Sequence, residues 1–340
     1  MTAALALLGY AVGAAWCVPA LLAPLTRHGV SVRAGLAAWL TAMASVLLSG
    51  TVAVLFSVRT AAADWPRLTS TLCRSVAGGA CTPEVYRSLF YQAGVAALAA
   101  VLAFASVLAL WRYGRRVQRS RRQTRAHAAA ARLVGRALAA GAGSGAVVGR
   151  QAEAVVLDDP RPAAYCVAGR PAAIVLTSGA LEVLDPPQLG AVLAHERAHL
   201  AHADHLLATL TQGLAAAFPG VPLYATGAAE VARLAEMSAD DTAARASGRP
   251  ALVAALLAIA TGSAISSMGI PSMGIPSTGI PGTGVPGGAL AAAAHAVPAR
   301  VERLLCPPTP GRSAAFTAML TLALALLAAA PLALALFAPR

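Results

Sequence analysis

Leu193-Ala194-His195-Glu196-Arg197-Ala198-His199-Leu200 carries the pattern H-E-x-x-H inside an apolar run that reads as one helix from Leu189 to Leu210. A helix turns about 100° per residue, so residues four apart share a face. His195 and His199 therefore stand side by side, a spacing that lets both imidazoles bind one Zn²⁺. Glu196 falls beside that point, placed to take a proton from metal-bound water. The pentapeptide alone would equally suit a chance helix with two satisfied histidines. A catalytic zinc needs three protein ligands and one open position, so the argument turns on a third ligand.

Working outward, Glu230 to Asp241 reads as a second helix on which Glu236 and Asp240 are again four apart. Glu236 is the expected third ligand. Asp240, one turn on, can hold a ligand imidazole in its tautomer. Glu230 fits less well, because no acid follows it at i+4. His205 lies ten residues after His195, the third-histidine spacing of a longer zinc motif, but that motif has a glycine at the place where this chain has His202. The helix is expected to run on, which turns His205 away from the ligand face. His202 stays near that face as a neighbour of the site.

The chain has 340 residues, 58% hydrophobic and only 12% charged, whereas soluble domains are nearer a quarter charged. The expectation is a mainly α membrane protein. Three N-terminal stretches (Thr2–Leu25, Ala34–Val58 and Gln92–Trp111) and one C-terminal stretch (Ala314–Ala338) can each span the ~30 Å hydrocarbon core. Thr2–Leu25 lacks a basic n-region and reads as a retained anchor. The spans carry almost no ionisable residues, which speaks against a transporter. Residues 1–112 thus form a three-span anchor with an external loop over 59–91. Residues 113–312 form a cytoplasmic α+β domain between spans three and four, and 313–340 the last span.

Orientation follows from arginine placement. Arg27, Arg33 and the run Arg112, Arg115, Arg116, Arg119, Arg121, Arg122, Arg125 flank spans and belong in the cytoplasm, which leaves the N-terminus outside. That run abuts a span and lacks interleaved aromatics, so it suits anionic membrane lipid and not nucleic acid. The net charge of +12 is carried by arginine alone, a composition that matches a GC-rich bacterial genome and weakens any reading of the charge itself. Cys73 and Cys81 fall in the external loop, where an oxidising exterior would allow a disulfide. Cys166 reads as a small buried hydrophobe.

Ala154–Leu157, Ala164–Val167 and Ala172–Thr177 read as strands between turn signals. Either of the last two is a candidate edge to hold an extended peptide, Ala164, Tyr165, Cys166 and Val167 in particular. The apolar stretch Leu206–Gly227 is long enough for one crossing, but that would part Glu236 from His195. Pro219-Gly220-Val221-Pro222 interrupts it, so it reads as a re-entrant or interfacial hairpin. Residues 267–288 hold Gly/Pro pentads such as Ser-Met-Gly-Ile-Pro and read as a disordered insert. Pro298–Leu305 returns to helix.

Four strings carry a resemblance: "DDPRPAAYCVAGRPAAIVLTSGALEVL" (158–184), "LAHERAHLAHADHL" (193–206), "EMSADDTAA" (236–244) and "ARVERLL" (299–305). With three spans before the motif and one after, the chain resembles membrane zinc peptidases of the BlaR/MecR antirepressor type and, more distantly, the HtpX-type and CAAX-processing membrane proteases. The resemblance implies a zincin-like fold, one Zn²⁺ on His195, His199 and Glu236, and Glu196 as the catalytic glutamate. It also matches Asp204 and Asp240 to acids common in the family, and Arg300 and Arg303 to a basic motif before the last span. The penicillin-binding domain and S-x-x-K signature of the antibiotic sensors are absent from this sequence, so β-lactam sensing is not implied. The expected activity is zinc-dependent endopeptidase cleavage of a cytoplasmic or membrane-proximal protein, such as a winged-helix repressor of the BlaI/MecI kind or the enzyme itself. The rival expectations are a signal transducer with little protease activity and an HtpX-type quality-control protease. Homodimerisation stays open.

Overall fold

The computed structural model describes residues 2–27, 31–76, 83–137, 153–167, 172–268, 297–307 and 309–337. Four of its helices are long and apolar enough to cross a membrane: α1 (Thr2–Thr26), α2 (Val32–Val76), α3 (Pro83–Val134) and the last helix, Pro310–Phe337. In α1, Ala4, Leu7, Ala11, Ala14, Val18 and Leu22 recur at three- and four-residue spacing and are buried. Small side chains at these positions let α1 and α2 approach closely, and packing of this kind holds helices together in an apolar solvent. Inside the bundle, Ser45 Oγ donates to the Leu327 carbonyl at 2.6 Å and lies 2.7 Å from Tyr10 Oη.

Two helices overrun their expected ends. The segment 59–91 is expected to be a loop, yet α2 continues to Val76 and α3 already begins at Pro83. Ala61-Ala62-Ala63 favours helix, and Pro66 is accommodated within α2. Likewise α3 runs unbroken through residue 112 to Val134, because arginine and alanine are strong helix formers and only Gly114 interrupts them. The anchor and the following segment are therefore one rod at that point. Cys81, the Cys73 side chain and residues 269–288 of the pentad insert lie outside what is described; 267 and 268 belong to a helix.

β1 (Arg136–Ala137), β2 (Glu153–Leu157), β3 (Ala164–Val167) and β4 (Ala173–Thr177) form one sheet in the order β1-β2-β4-β3. β4 runs parallel to β2 and antiparallel to β3. All five β4 residues are buried, as suits a central strand without polar alternation. β4 is therefore not an edge, and of the two candidate peptide-holding strands β3 is the one at the sheet's edge among the described residues. Thr177 caps the short helix α4 (Ser178–Val183) by accepting from the Ala180 N–H. Gly179 donates its N–H to the Asp159 carbonyl, and a methyl group there would overlap the Pro160 carbonyl. Gly179→Ala should destabilise the protein by about 2–3 kcal/mol, because backbone and not a flexible side chain must yield; thermal unfolding in detergent checks this.

Asp185 opens α5 (Pro186–His202) with a capping box shared with Gln188, and Pro186 sits in the first turn. Ile174, Leu176, Leu184, Leu189, Val192 and Leu193 fuse the sheet with this helix. α6 (Asp204–Ala217) and α7 (Pro222–Ser247) form a helical hairpin turning at Phe218–Val221. Leu223, Tyr224, Val231, Leu234 and Met237 of α7 share one core with Trp39 and Met43 of α2 and Val18 and Leu22 of α1. The hairpin thus lies alongside the apolar helices and does not cross away from α5. Arg233 fixes it there by donating to the orphan carbonyls of Thr26 (2.7 Å) and Arg27 (2.9 Å) at the end of α1, while Glu230 accepts from Thr26 and Arg233. α8 (Arg249–Met268) packs on α5 and α7. A helix over 297–305, α9, leads to α10 (Pro310–Phe337).

Candidate active site

The cap at Asp185 and the apolar face of α5 fix the rotation of that helix, and His195 and Glu196 fall on its buried side. The two Nε2 atoms of His195 and His199 lie 3.0 Å apart. Glu236 reaches across from α7, with Oε2 3.5 Å from His195 Nε2 and Oε1 3.4 Å from His199 Nε2. These three residues offer ligand atoms all within 4.8 Å of one another. Ligands about 2.0–2.2 Å from a tetrahedral zinc lie roughly 3.3–3.6 Å from one another, close to the 3.0, 3.4 and 3.5 Å found between these atoms.

Each imidazole meets a carboxylate at its other nitrogen. His199 Nδ1 is 2.7 Å from Asp204 Oδ2, in hydrogen-bond geometry. His195 Nδ1 is 3.1 Å from Asp240 Oδ1, an ion-pair approach off the hydrogen-bond line. Protons drawn to the two Nδ1 atoms turn both Nε2 atoms toward one point, a donor set that fits a metal cation. Burial pulls both imidazoles down, but the surrounding carboxylates outweigh it. Asp240 and Glu236 raise His195, and Asp204 and Glu236 push His199 up to about 10. Burial pushes the Glu236 carboxyl up, and the two imidazoles and Arg300 override it and hold it well below its usual range. The Glu236 side chain keeps 36% of its exposure, so the group is open on one side, as an incoming substrate and water require.

Asp204 reaches His199 because the helix breaks where the sequence predicts that it runs on. Ala203 takes the left-handed conformation (φ 56°, ψ 36°), ending α5 and starting α6. For a non-glycine residue this is an uncommon and strained backbone. It folds Asp204 back under the second histidine. His205 is exposed and outside the ligand group; His202 ends α5 outside it too, with its Nδ1 buried and unpartnered among the described residues.

Arg300 is the residue whose place the motifs do not give. It is 5% exposed and grips Asp240 with two hydrogen bonds, Nε to Oδ2 at 2.7 Å and Nη2 to Oδ1 at 2.6 Å. Its Nη1 lies 3.1 Å from Glu236 Oε2. Burial opposes the charge on both partners, and the pairing overcomes it, lowering Asp240 and raising Arg300. Arg303 forms a parallel pair with Asp241 at 2.7 and 2.9 Å. On the other side, Cys166 of strand β3 lies close enough to Glu196 to feel its charge. Burial first, and then that carboxylate, push the thiol up, so it stays protonated. Cys166 is half-buried, so the small hydrophobe read from the sequence stands with one side toward the glutamate beside the ligands.

Residues 121–225 match the peptidase family M48 model, just under a third of the chain, from the end of α3 through the sheet and α5 to the start of α7. The chain is similar to the protease HtpX homolog of Acidiphilium cryptum (strain JF-5), 42% identical over 64 residues, which are 18% of this chain and 22% of that protein. It is also similar to the protease HtpX homolog of Tropheryma whipplei (strain Twist), 39% identical over 67 residues (19% of this chain, 23% of that protein), and to that of Ralstonia nicotianae (strain ATCC BAA-1114 / GMI1000), 35% identical over 72 residues (21% and 25%). The chain thus spans about a quarter or less of the length of the curated relatives it matches. No solved structure matches. The comparisons name the M48 and HtpX side of the expected resemblance. With four helices able to cross a membrane and a His/Glu group able to hold a metal, they support a membrane metalloprotease.

Proposed function

We propose that this chain is a multi-pass, integral-membrane zinc endopeptidase, with its site at the cytoplasmic face of a bacterial cell membrane. The observation that carries this is the paired arrangement of His195, His199 and Glu236, each imidazole backed by its own carboxylate, beside the buried Glu196. His195, His199 and Glu236 would hold the ion, which when bound supplies Lewis acidity toward a scissile carbonyl and a water of lowered pKa. Glu196 would take the proton of the attacking water and pass it to the leaving amine. Asp204 and Asp240 would keep the Nδ1–H tautomer of the two ligands. The edge strand β3, Ala164 to Val167, would hold the substrate as an added extended strand, which sets it next to Glu196.

The substrate is a cytoplasmic or membrane-proximal protein. The HtpX names favour a general membrane protease over a dedicated repressor-cleaving one, and a repressor of the BlaI/MecI kind is the narrower version of the same proposal. The end of α1, where Arg233 docks, borders α7, and α9, which leads into α10, grips α7 through Arg300 and Arg303, in keeping with arginine-flanked cytoplasmic ends.

Chelation should abolish cleavage of an unstructured protein by the purified enzyme in detergent, and zinc alone should restore it; activity that survives chelation would overturn the proposal. The carboxylates around the two imidazoles raise the pH at which they give up their protons, so metal must displace those protons. Apparent zinc affinity should therefore weaken as pH falls from 8 to 6, by about tenfold per pH unit for each proton displaced. Competition with a zinc indicator measures this, and a flat profile would contradict the acid-backed ligand set.

A further inference from the structure

A second group of charged residues lies away from the ligand cluster. The C-terminal turn of α7, the first turn of α8 and α9 enclose a cleft of about 260 Å³ lined by Asp241, Arg245, Arg249, Arg303, Leu304 and Pro307. Three guanidinium groups face one carboxylate. Arg303 spends both its outer nitrogens on Asp241. Arg245 is exposed and reaches the Thr242 hydroxyl at 3.1 Å. Arg249 is exposed and makes no ion pair among the described residues. Two positive charges beside one cleft repel each other, and an anion between them removes that cost.

We propose that this cleft binds a phosphate group, either free or as the headgroup of an anionic phospholipid. Guanidinium forks match phosphate oxygens in bidentate geometry, which a diffuse positive surface does not offer. The cleft has room for a tetrahedral phosphate with its first waters, and the guanidinium lining sets the charge of the occupant. Leu304, 4% exposed, gives the cleft an apolar wall, and Pro307 stands three residues before α10. If α10 spans the bilayer, the cleft sits at the level of lipid phosphates, and acyl chains could follow the helix.

The test uses full-length zinc-loaded protein in a maltoside detergent free of phosphate. Inorganic phosphate is titrated against chloride at equal ionic strength, and phosphatidylglycerol or phosphatidylcholine is added back in parallel. Thermal unfolding and native mass spectrometry read binding. The expected result is a rise in the unfolding midpoint with phosphate, or selective retention of phosphatidylglycerol, with affinity reduced about tenfold or more in Arg245→Gln/Arg249→Gln. A response to lipid alone assigns a headgroup, and a response to inorganic phosphate alone assigns a soluble anion. If the double variant folds poorly, Arg249→Gln alone gives the same reading, because Arg249 has no partner to lose among the described residues. No response to either ligand, or variants that respond as the wild type does, would overturn the proposal. Binding is read without proteolysis, so its failure leaves the peptidase proposal standing, and the reverse also holds.

Discussion

Glu196→Gln should lower peptide-bond cleavage by about 100- to 10,000-fold, the range expected when a general base is removed, while zinc content stays at that of the wild type. The separation of the two effects follows from geometry. Glu196 is buried on α5 next to His195 but is not one of the three residues whose ligand atoms converge. Glutamine keeps the length and shape of the side chain, so the packing of α5 on β3 should be retained. What it loses is the capacity to accept a proton from water at neutral pH. Metal analysis of the purified variant, alongside single-turnover cleavage, distinguishes this from mere loss of fold. Cleavage at the wild-type rate would remove Glu196 from the reaction, and loss of zinc with loss of activity would make it structural. In cells, proteins that accumulate in the Glu196→Gln strain are the substrates, and their identity separates a repressor from a broader clientele.

The histidine pair and the distant carboxylates were legible because helical periodicity is local: residues four apart must share a face whatever the rest of the chain does. His195 with His199, and Glu236 with Asp240, needed only that rule. The four apolar helices were legible from length and composition. What stayed hidden depends on contacts between distant segments. β3 and β4 have similar strand composition, and only the pairing order shows that β4 is central and β3 terminal among the described strands. The break at Ala203 has no glycine or proline to announce it. The one local signal is Asp204, an acid suited to the first turn of a new helix. The packing of α7 on α1 and α2 was illegible for a different reason: apolar residues against apolar helices leave no pattern that tells a membrane-facing side from a protein-facing one. Arg233 shows the same limit, since nothing in its neighbourhood says that its targets are the last carbonyls of α1, about two hundred residues earlier.

Arg300→Ala should cost about 3–5 kcal/mol of stability and remove most of the bound zinc, because it breaks a buried ion pair from one side only. Asp240 is 1% exposed and would keep its charge with a single neighbour, the Nδ1 of His195, at 3.1 Å. Three responses are open to it, and all harm the site. It can take up a proton and lose its hold on His195, draw the imidazole proton toward itself and turn the ring, or move toward water and pull α7, which also carries Glu236. Arg300→Lys should recover only part of the loss, since an ammonium cannot reproduce the fork that now meets Asp240 at 2.6 and 2.7 Å. The double variant Asp240→Leu/Arg300→Leu separates fold from function. It removes both charges, so thermal stability should return toward the wild type, whereas zinc affinity should stay low because nothing backs His195. A double-mutant cycle on the unfolding midpoint, read beside metal content, measures the two effects independently. A single Arg300→Ala variant that loses less than about 1 kcal/mol and keeps its zinc would mean that α9 is a passive linker to α10, in which case the reach of Arg300 to Asp240 and Glu236 has no part in assembling the site.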